Sequence, residues 1–81
     1  MKVYRTPRGQ EYFFTFHAGK RFEQKRIRQE DLEDAIDHYD RSDYDKEGNI
    51  RLIRALPDGR CLRIHVARNS NPLRLITIMI I

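Results

Sequence analysis

The chain has 81 residues, 35% of them charged and 40% hydrophobic, with a formal net charge of +4. That length allows one domain, residues 1–81, with a single core, and it excludes a large enclosed active-site cavity. A lone cysteine, Cys61, excludes an intrachain disulfide and fits a reducing cytoplasm; residues 1–10 lack the apolar run of a signal peptide and residues 73–81 are too short to cross a bilayer, so a cytoplasmic protein with no membrane partner is expected.

In chain order, Val3 and Tyr4, the turn-like TPRGQ and the run from Glu11 to Phe14 predict a short hairpin around Pro7 and Gly9. Thr15 is a good helix N-cap. From Phe16 to about Lys25, Ala18 and Phe22 fall on one stripe with His17 and Arg21 beside it, one turn apart, and the helix should end near Arg26. A second helix begins around Gln29: Glu30, Asp31, Glu33 and Asp34 complement its N-terminal dipole, and Leu32, Ala35, Ile36 and Tyr39 repeat at helical spacing.

Residues 41–48 read as a polar connection, after which the period changes to two. Ile50, Leu52, Arg54 and Leu56 alternate with Arg51, Ile53 and Ala55; a Pro57-Asp58-Gly59 turn follows; then Leu62, Ile64 and Val66 alternate with Cys61, Arg63 and His65. A hairpin with Leu56 opposite Arg60 sets Arg54 against Leu62, Leu52 against Ile64 and Ile50 against Val66 on one side. The other side then pairs Arg51 with His65 and Ile53 with Arg63. After Asn69 to Pro72, residues 73–81 are apolar on both faces, as in a central strand.

These elements predict an α+β domain: two N-terminal helices packed on one face of an antiparallel sheet of three to five strands, the Ile50, Leu52, Ile64, Val66 side supplying their apolar bed. The opposite face should carry Arg51, Arg63, His65 and Arg74 around Ile53, Ile76 and Ile78.

Charge is segregated along the chain. Residues 30–47 hold nine of the twelve acids and only Arg41 and Lys46, a balance of −7, which leaves +11 on the remainder. Such a split points to a polyanion for the basic part, and to a basic partner or an internal clasp for the acidic part. Arg51, Arg63, His65, Arg68 and Arg74 come from adjacent strands, and like charges facing one another need an anion, either RNA phosphate or acids from residues 40–47. Five phosphate contacts predict a log–log salt slope near −4 on single strands. Tyr4, Tyr12, Phe13 and Phe14 are candidates for base stacking, although such clusters more often form core.

The run FTFHAGKRFEQKRI, the acidic helix QEDLEDAIDHY, the hairpin NIRLIRALPDGRCLRIHVA and the terminal LRLITIMI resemble a family of small prokaryotic domains of unknown function that is grouped with BrnT and RelE-like toxins. The matching positions are His17, Ala18, Arg21, Lys25, Ile27, Leu32, Ala35, Gly59, Leu62, Val66, Ile76 and Thr77. The resemblance implies the toxin-like fold, an RNA partner met either on the ribosome or free of it, and an antitoxin-like protein partner. Two departures stand out: Lys25-Arg26 replaces the family's Arg-Gly before Ile27, and the end read here has no Arg or Tyr like those serving catalysis in several RelE-type toxins. The resemblance therefore carries the fold further than the reaction.

For the chemistry, a metal-independent endoribonuclease needs a base for the 2′-hydroxyl, an acid for the leaving oxygen, and cations where phosphate gains charge. His17 and His65 are the candidate pair, with Arg21 and Arg63 completing the catalytic set; Lys25, Arg51, Arg63, Arg68 and Arg74 are the candidate RNA contacts. Strand parity puts His65 on the face away from the helices whereas His17 begins one, so the two must prove close. Otherwise His17 and Arg21 simply brace the helix against the sheet. The rival from another class is a non-catalytic protein-interaction module that docks a partner or a second copy through the outer face. Asp43 to Ile50 imitates the start of a calcium loop, but Arg54 stands where the twelfth-position Glu belongs, so neither metal nor cofactor is expected.

Overall fold

The computed structural model describes residues 1–81. Its elements are β1 (Tyr4–Arg5), β2 (Glu11–Phe14), α1 (Phe16–Gln24), α2 (Gln29–His38), β3 (Arg41–Tyr44), β4 (Ile50–Ala55), β5 (Cys61–Val66) and β6 (Leu73–Ile80). The strands form one six-stranded sheet in the order β1-β2-β6-β5-β4-β3. The β4–β5 hairpin has the register expected from its alternation, with Ile50, Leu52 and Arg54 opposite Val66, Ile64 and Leu62. The apolar strand β6 lies in the interior of the sheet, between β2 and β5.

Three sequence expectations are corrected. The sheet has six strands, because the polar run Arg41–Tyr44 is an edge strand with no hydrophobic face to betray it. It is mixed rather than antiparallel, since β2 and β6 run parallel. Fifty-odd residues separate these two strands, so no local turn signal records their relative direction.

The third correction concerns Ile78. It is fully buried in the core, whereas regular alternation had set it on the outer face. The cause is a β-bulge: His65 lies opposite Thr77 and Val66 opposite Leu75, so Ile76 is an extra residue in β6 and parity reverses there. Leu75 and Ile78 both point to the helices, and Ile76 and Thr77 both lie on the other side.

The core is one cluster of thirteen buried residues in which Ala18, Leu32, Ala35 and Ile36 of the helices meet Leu52, Leu62, Ile64, Val66, Leu75 and Ile78 of the sheet. Tyr4, Tyr12, Phe14 and Phe22 stack in sequence, with centroids 5.0–5.8 Å apart, at one end of this cluster. These aromatics are thus packing residues. Much of the acidity of α2 serves as an internal clasp: Glu33 accepts from the Tyr12 hydroxyl at 2.6 Å, Asp37 from the Thr6 hydroxyl at 2.7 Å, and Asp34 from Arg54 at 3.0 Å.

The end of α1 shows how a sequence departure is accommodated. Arg26 adopts φ 52°, its N–H donates to the Glu23 carbonyl, and the Ile27 N–H donates to the Phe22 carbonyl. This is a Schellman cap with Arg26 at the left-handed position, where glycine is normally favoured, and with Ile27 buried after it.

Candidate functional site

Helix α1 starts as its cap residue dictates. The Thr15 hydroxyl donates to the Leu75 carbonyl at 2.8 Å and accepts from the Ala18 N–H at 3.2 Å, tying the helix N-terminus to β6. Ala18 and Phe22 turn to the core, which leaves His17, Arg21 and Lys25, four residues apart, along another side of the helix.

Strand β2 pairs only with Leu73, Arg74 and Leu75 of β6, so beyond Leu75 the flank of β6 borders α1 rather than another strand. The Ile81 N–H donates to the Cys61 carbonyl. By the alternation of an antiparallel ladder, Thr77 and Met79 also bond toward β5, and the backbone groups of Ile78 and Ile80 face α1. His17, Arg21 and Lys25 with Thr77, Met79 and Ile80 line a groove of about 290 Å³ at this boundary.

A second cleft, about 390 Å³, adjoins the first, sharing His17 and Thr77. Its other lining residues include His65, Ile76 and the β3–β4 turn residues Asp45 and Asn49. His17 and His65 therefore border one cleft despite lying on different layers. The reason is that α1 sits at the open flank of β6, so its exposed side reaches the outer face of the sheet. Arg21 stands one turn beyond His17 on the same helix, and Arg63 lies opposite Met79 on β5, donating to its Sδ at 3.1 Å.

His65 is anchored firmly. Its Nδ1 lies 3.0 Å from Asp45 Oδ2, and the two side chains are 13% and 16% exposed. Since a carboxylate accepts, Nδ1 carries the hydrogen, and in the neutral ring Nε2 then has a free lone pair. That Nε2 is buried and has no hydrogen-bond partner, as is Arg63 Nε. Asp45 is itself fixed by its turn, its Oδ1 accepting the N–H groups of Glu47 and Asn49, each at 2.9 Å. Gly48, at φ 83°, supplies the left-handed residue this turn requires. The hydrogen bond from His65, supported by those from the Asn49 and Glu47 amides, holds the Asp45 carboxyl at a pKa of about 2, below its ordinary 3.8.

The remaining cations of the outer face have diverse surroundings. Arg51 is held bidentately by Asp43, at 2.6 and 2.7 Å, and this bond lowers the Asp43 pKa. Arg68 lies over the Tyr44 ring, 5.8 Å from its centroid, and Arg74 is exposed opposite Phe13 near the β5–β6 connection. Neither Arg68 nor Arg74 lines the clefts at His17. Acids from residues 40–47 thus neutralise Arg51 and orient His65, one of the two possibilities the charge pattern left open. The apolar part of this face is smaller than expected, because Ile53 is only 8% exposed and Ile78 is inside.

Asp45 was not among the residues singled out for chemistry. A signal existed: reading residues 41–45 with period two puts Arg41, Asp43 and Asp45 on the side of Arg51 and His65, so acids meet cations across strands. No group of three or more His, Cys, Asp or Glu side chains is arranged to hold a metal ion, and no helix is long and apolar enough to cross a membrane. Comparison with curated proteins and with solved structures gives no match. The family described as "Domain of unknown function (DUF4258)" matches residues 14–80, which span α1, α2 and all four strands from β3 to β6, and the chain belongs to that family.

Proposed function

We propose that this domain binds RNA along the α1–β6 groove and cleaves it without a metal ion, as a RelE/BrnT-like toxin-fold endoribonuclease of the cytoplasm controlled by an antitoxin-like partner. The observation that carries this reading is the shared cleft of His17 and His65, with His65 oriented by Asp45 and its Nε2 lacking a partner. A buried acceptor without a donor costs on the order of 1–3 kcal/mol, and an incoming 2′-hydroxyl supplies that donor. Nε2 lies beneath the surface, so substrate entry must shift the side chains that cover it.

In this mechanism His65 Nε2 takes the 2′-hydroxyl proton while the 2′-oxygen attacks phosphorus. Protonated His17 gives its proton to the departing 5′-oxygen, leaving a 2′,3′-cyclic phosphate and a 5′-hydroxyl. Arg21 meets the charge that grows on the phosphate oxygens, and Arg63, which lines neither cleft but is bonded to Met79 of the groove, adds its positive charge from beside it. Lys25 of the groove and Lys20, which adjoins His17 and Arg21 on the exposed side of α1, extend the basic track along the helix. Arg51, already paired with Asp43, contributes less to phosphate binding, and Arg68 and Arg74 serve only RNA that continues past the cleft.

The test is cleavage of a single-stranded RNA with chelator present, followed for the wild type and for His65→Ala, His17→Ala and Arg21→Ala. Each histidine change should lower the rate about 10²–10⁴-fold while leaving binding nearly intact. Arg21→Ala should weaken both. With Lys20, Arg21, Lys25 and Arg63 as contacts, the salt dependence of binding should have a log–log slope of about −3. An intact RNA pool at high protein concentration, with and without ribosomes, would refute the nuclease reading.

A further inference from the structure

The sheet has two borders, and they differ. β1 is two residues long, whereas β3 offers four, Arg41–Tyr44, all exposed and paired on one side only. The Asp45 N–H donates to the Asn49 carbonyl, which sets the bonding alternation of the β3–β4 ladder. Bonded pairs recur at Asp43/Arg51 and Arg41/Ile53, so the backbone N–H and C=O of Ser42 and Tyr44 point away from the sheet. Natural edges are usually blunted by lysine, proline, a bulge or a covering element. Arg41–Tyr44 has no lysine or proline and pairs with β4 in unbroken register.

We propose that β3 pairs antiparallel with β3 of a second copy of this chain, about a two-fold axis through Ser42, joining the two sheets edge to edge. The register follows from two constraints. Outward-pointing backbone groups must meet one another, and side chains of like facing must share a face. Two registers then overlap three or more residues: Ser42 opposite Ser42, or Ser42 opposite Tyr44. The second sets Asp43 directly against Asp43, where like charges repel. The first sets Arg41 of each copy against Asp43 of the other and closes the backbone pair at Ser42, while Tyr44 meets Asp40, whose N–H already donates to the Ile53 carbonyl.

Charge decides for the first. Arg41 has no carboxylate within ion-pair distance in its own chain, and Asp43 already accepts from Arg51. Pairing extends that bond into a run of Arg51, Asp43 and the second copy's Arg41, formed twice by symmetry. Tyr44, 64% exposed, gains cover on the helix side of the joined sheet. Four residues of edge bury far less than a standard interface of about 1,600 Å², so the association is weak. The inference does not depend on the nuclease reading.

The experiment is sedimentation equilibrium at about 0.5 mM protein, a concentration suited to weak pairing. The wild type should show a mass rising toward twice 9.8 kDa, and Ser42→Pro, which removes one outward N–H, should remain at 9.8 kDa with unchanged circular dichroism. In a Cys61→Ser background, Ser42→Cys should oxidise to a disulfide-linked dimer, because opposed residues of a bonded pair stand about 5.5 Å apart, within disulfide reach. Asp43→Cys in the same background should not. A monomeric wild type at that concentration, or faster linking through position 43 than through 42, overturns the proposal.

Discussion

The bulge at Ile76 decides which side chains of β6 face the candidate site, and it can be tested by stability. Replacing Ile78 with alanine removes three carbon groups from a fully buried position, about 0.8 kcal/mol each in transfer terms, or about 2.4 kcal/mol. Ile78 packs beside Leu62, Ile64 and Leu75 in the core cluster, so the void cannot fully collapse and its term brings the cost to about 3–4 kcal/mol. A domain of this size has a total stability of about 4–12 kcal/mol, so the change leaves it marginal. Ile76 is partly exposed at the cleft on the other face, and the same truncation there should cost about 1 kcal/mol or less. Urea unfolding of both variants, with Ile78→Val as a milder companion expected at about 0.5–1.5 kcal/mol, measures the difference as a midpoint shift at constant slope. Equal costs at 76 and 78, or a larger cost at 76, would show that β6 has no bulge and that the cleft is lined differently.

Three further outcomes are expected. Asp45 is depressed to a pKa of about 2, so the stability it lends is fully present above its unfolded value of 3.8 and is lost as pH falls from there through about 2; Asp45→Asn should flatten that limb of an acid-unfolding curve followed by circular dichroism. Tyr12 has its pKa raised above the ordinary 10.0, chiefly by burial and then by its bond to Glu33. Alkaline stability should therefore fall above about pH 10, where the unfolded chain releases a proton that the folded one retains, and Tyr12→Phe should abolish that fall at the cost of about 1 kcal/mol at neutral pH. Arg26→Gly should stabilise the domain by about 0.5–1 kcal/mol, read as a rise of a few degrees in Tm, because it relieves the left-handed residue of the helix cap.

The helices and the β4–β5 hairpin were legible because each announces itself locally. Thr15 caps α1, acids crowd the first turn of α2, and strict alternation from Ile50 to Val66 around Pro57-Asp58-Gly59 sets a register that the fold reproduces pair for pair. The polar strand Arg41–Tyr44 was not legible, because an exposed edge imposes no hydrophobic period on its residues.

What the sequence determined by itself was local: capping, helical stripes, the parity of β4 and β5, and the segregation of acids from bases. What only the tertiary structure decided was which distant groups meet. One inserted residue in β6 turned Ile78 inward, the parallel pairing of β2 with β6 left a flank for α1, and that placement brought His17 to the cleft of His65. Asp45 reached His65 because β3, β4 and β5 lie side by side with matched faces. Each depends on strand order and direction, which arise from packing the whole chain over one core rather than from the preference of any segment.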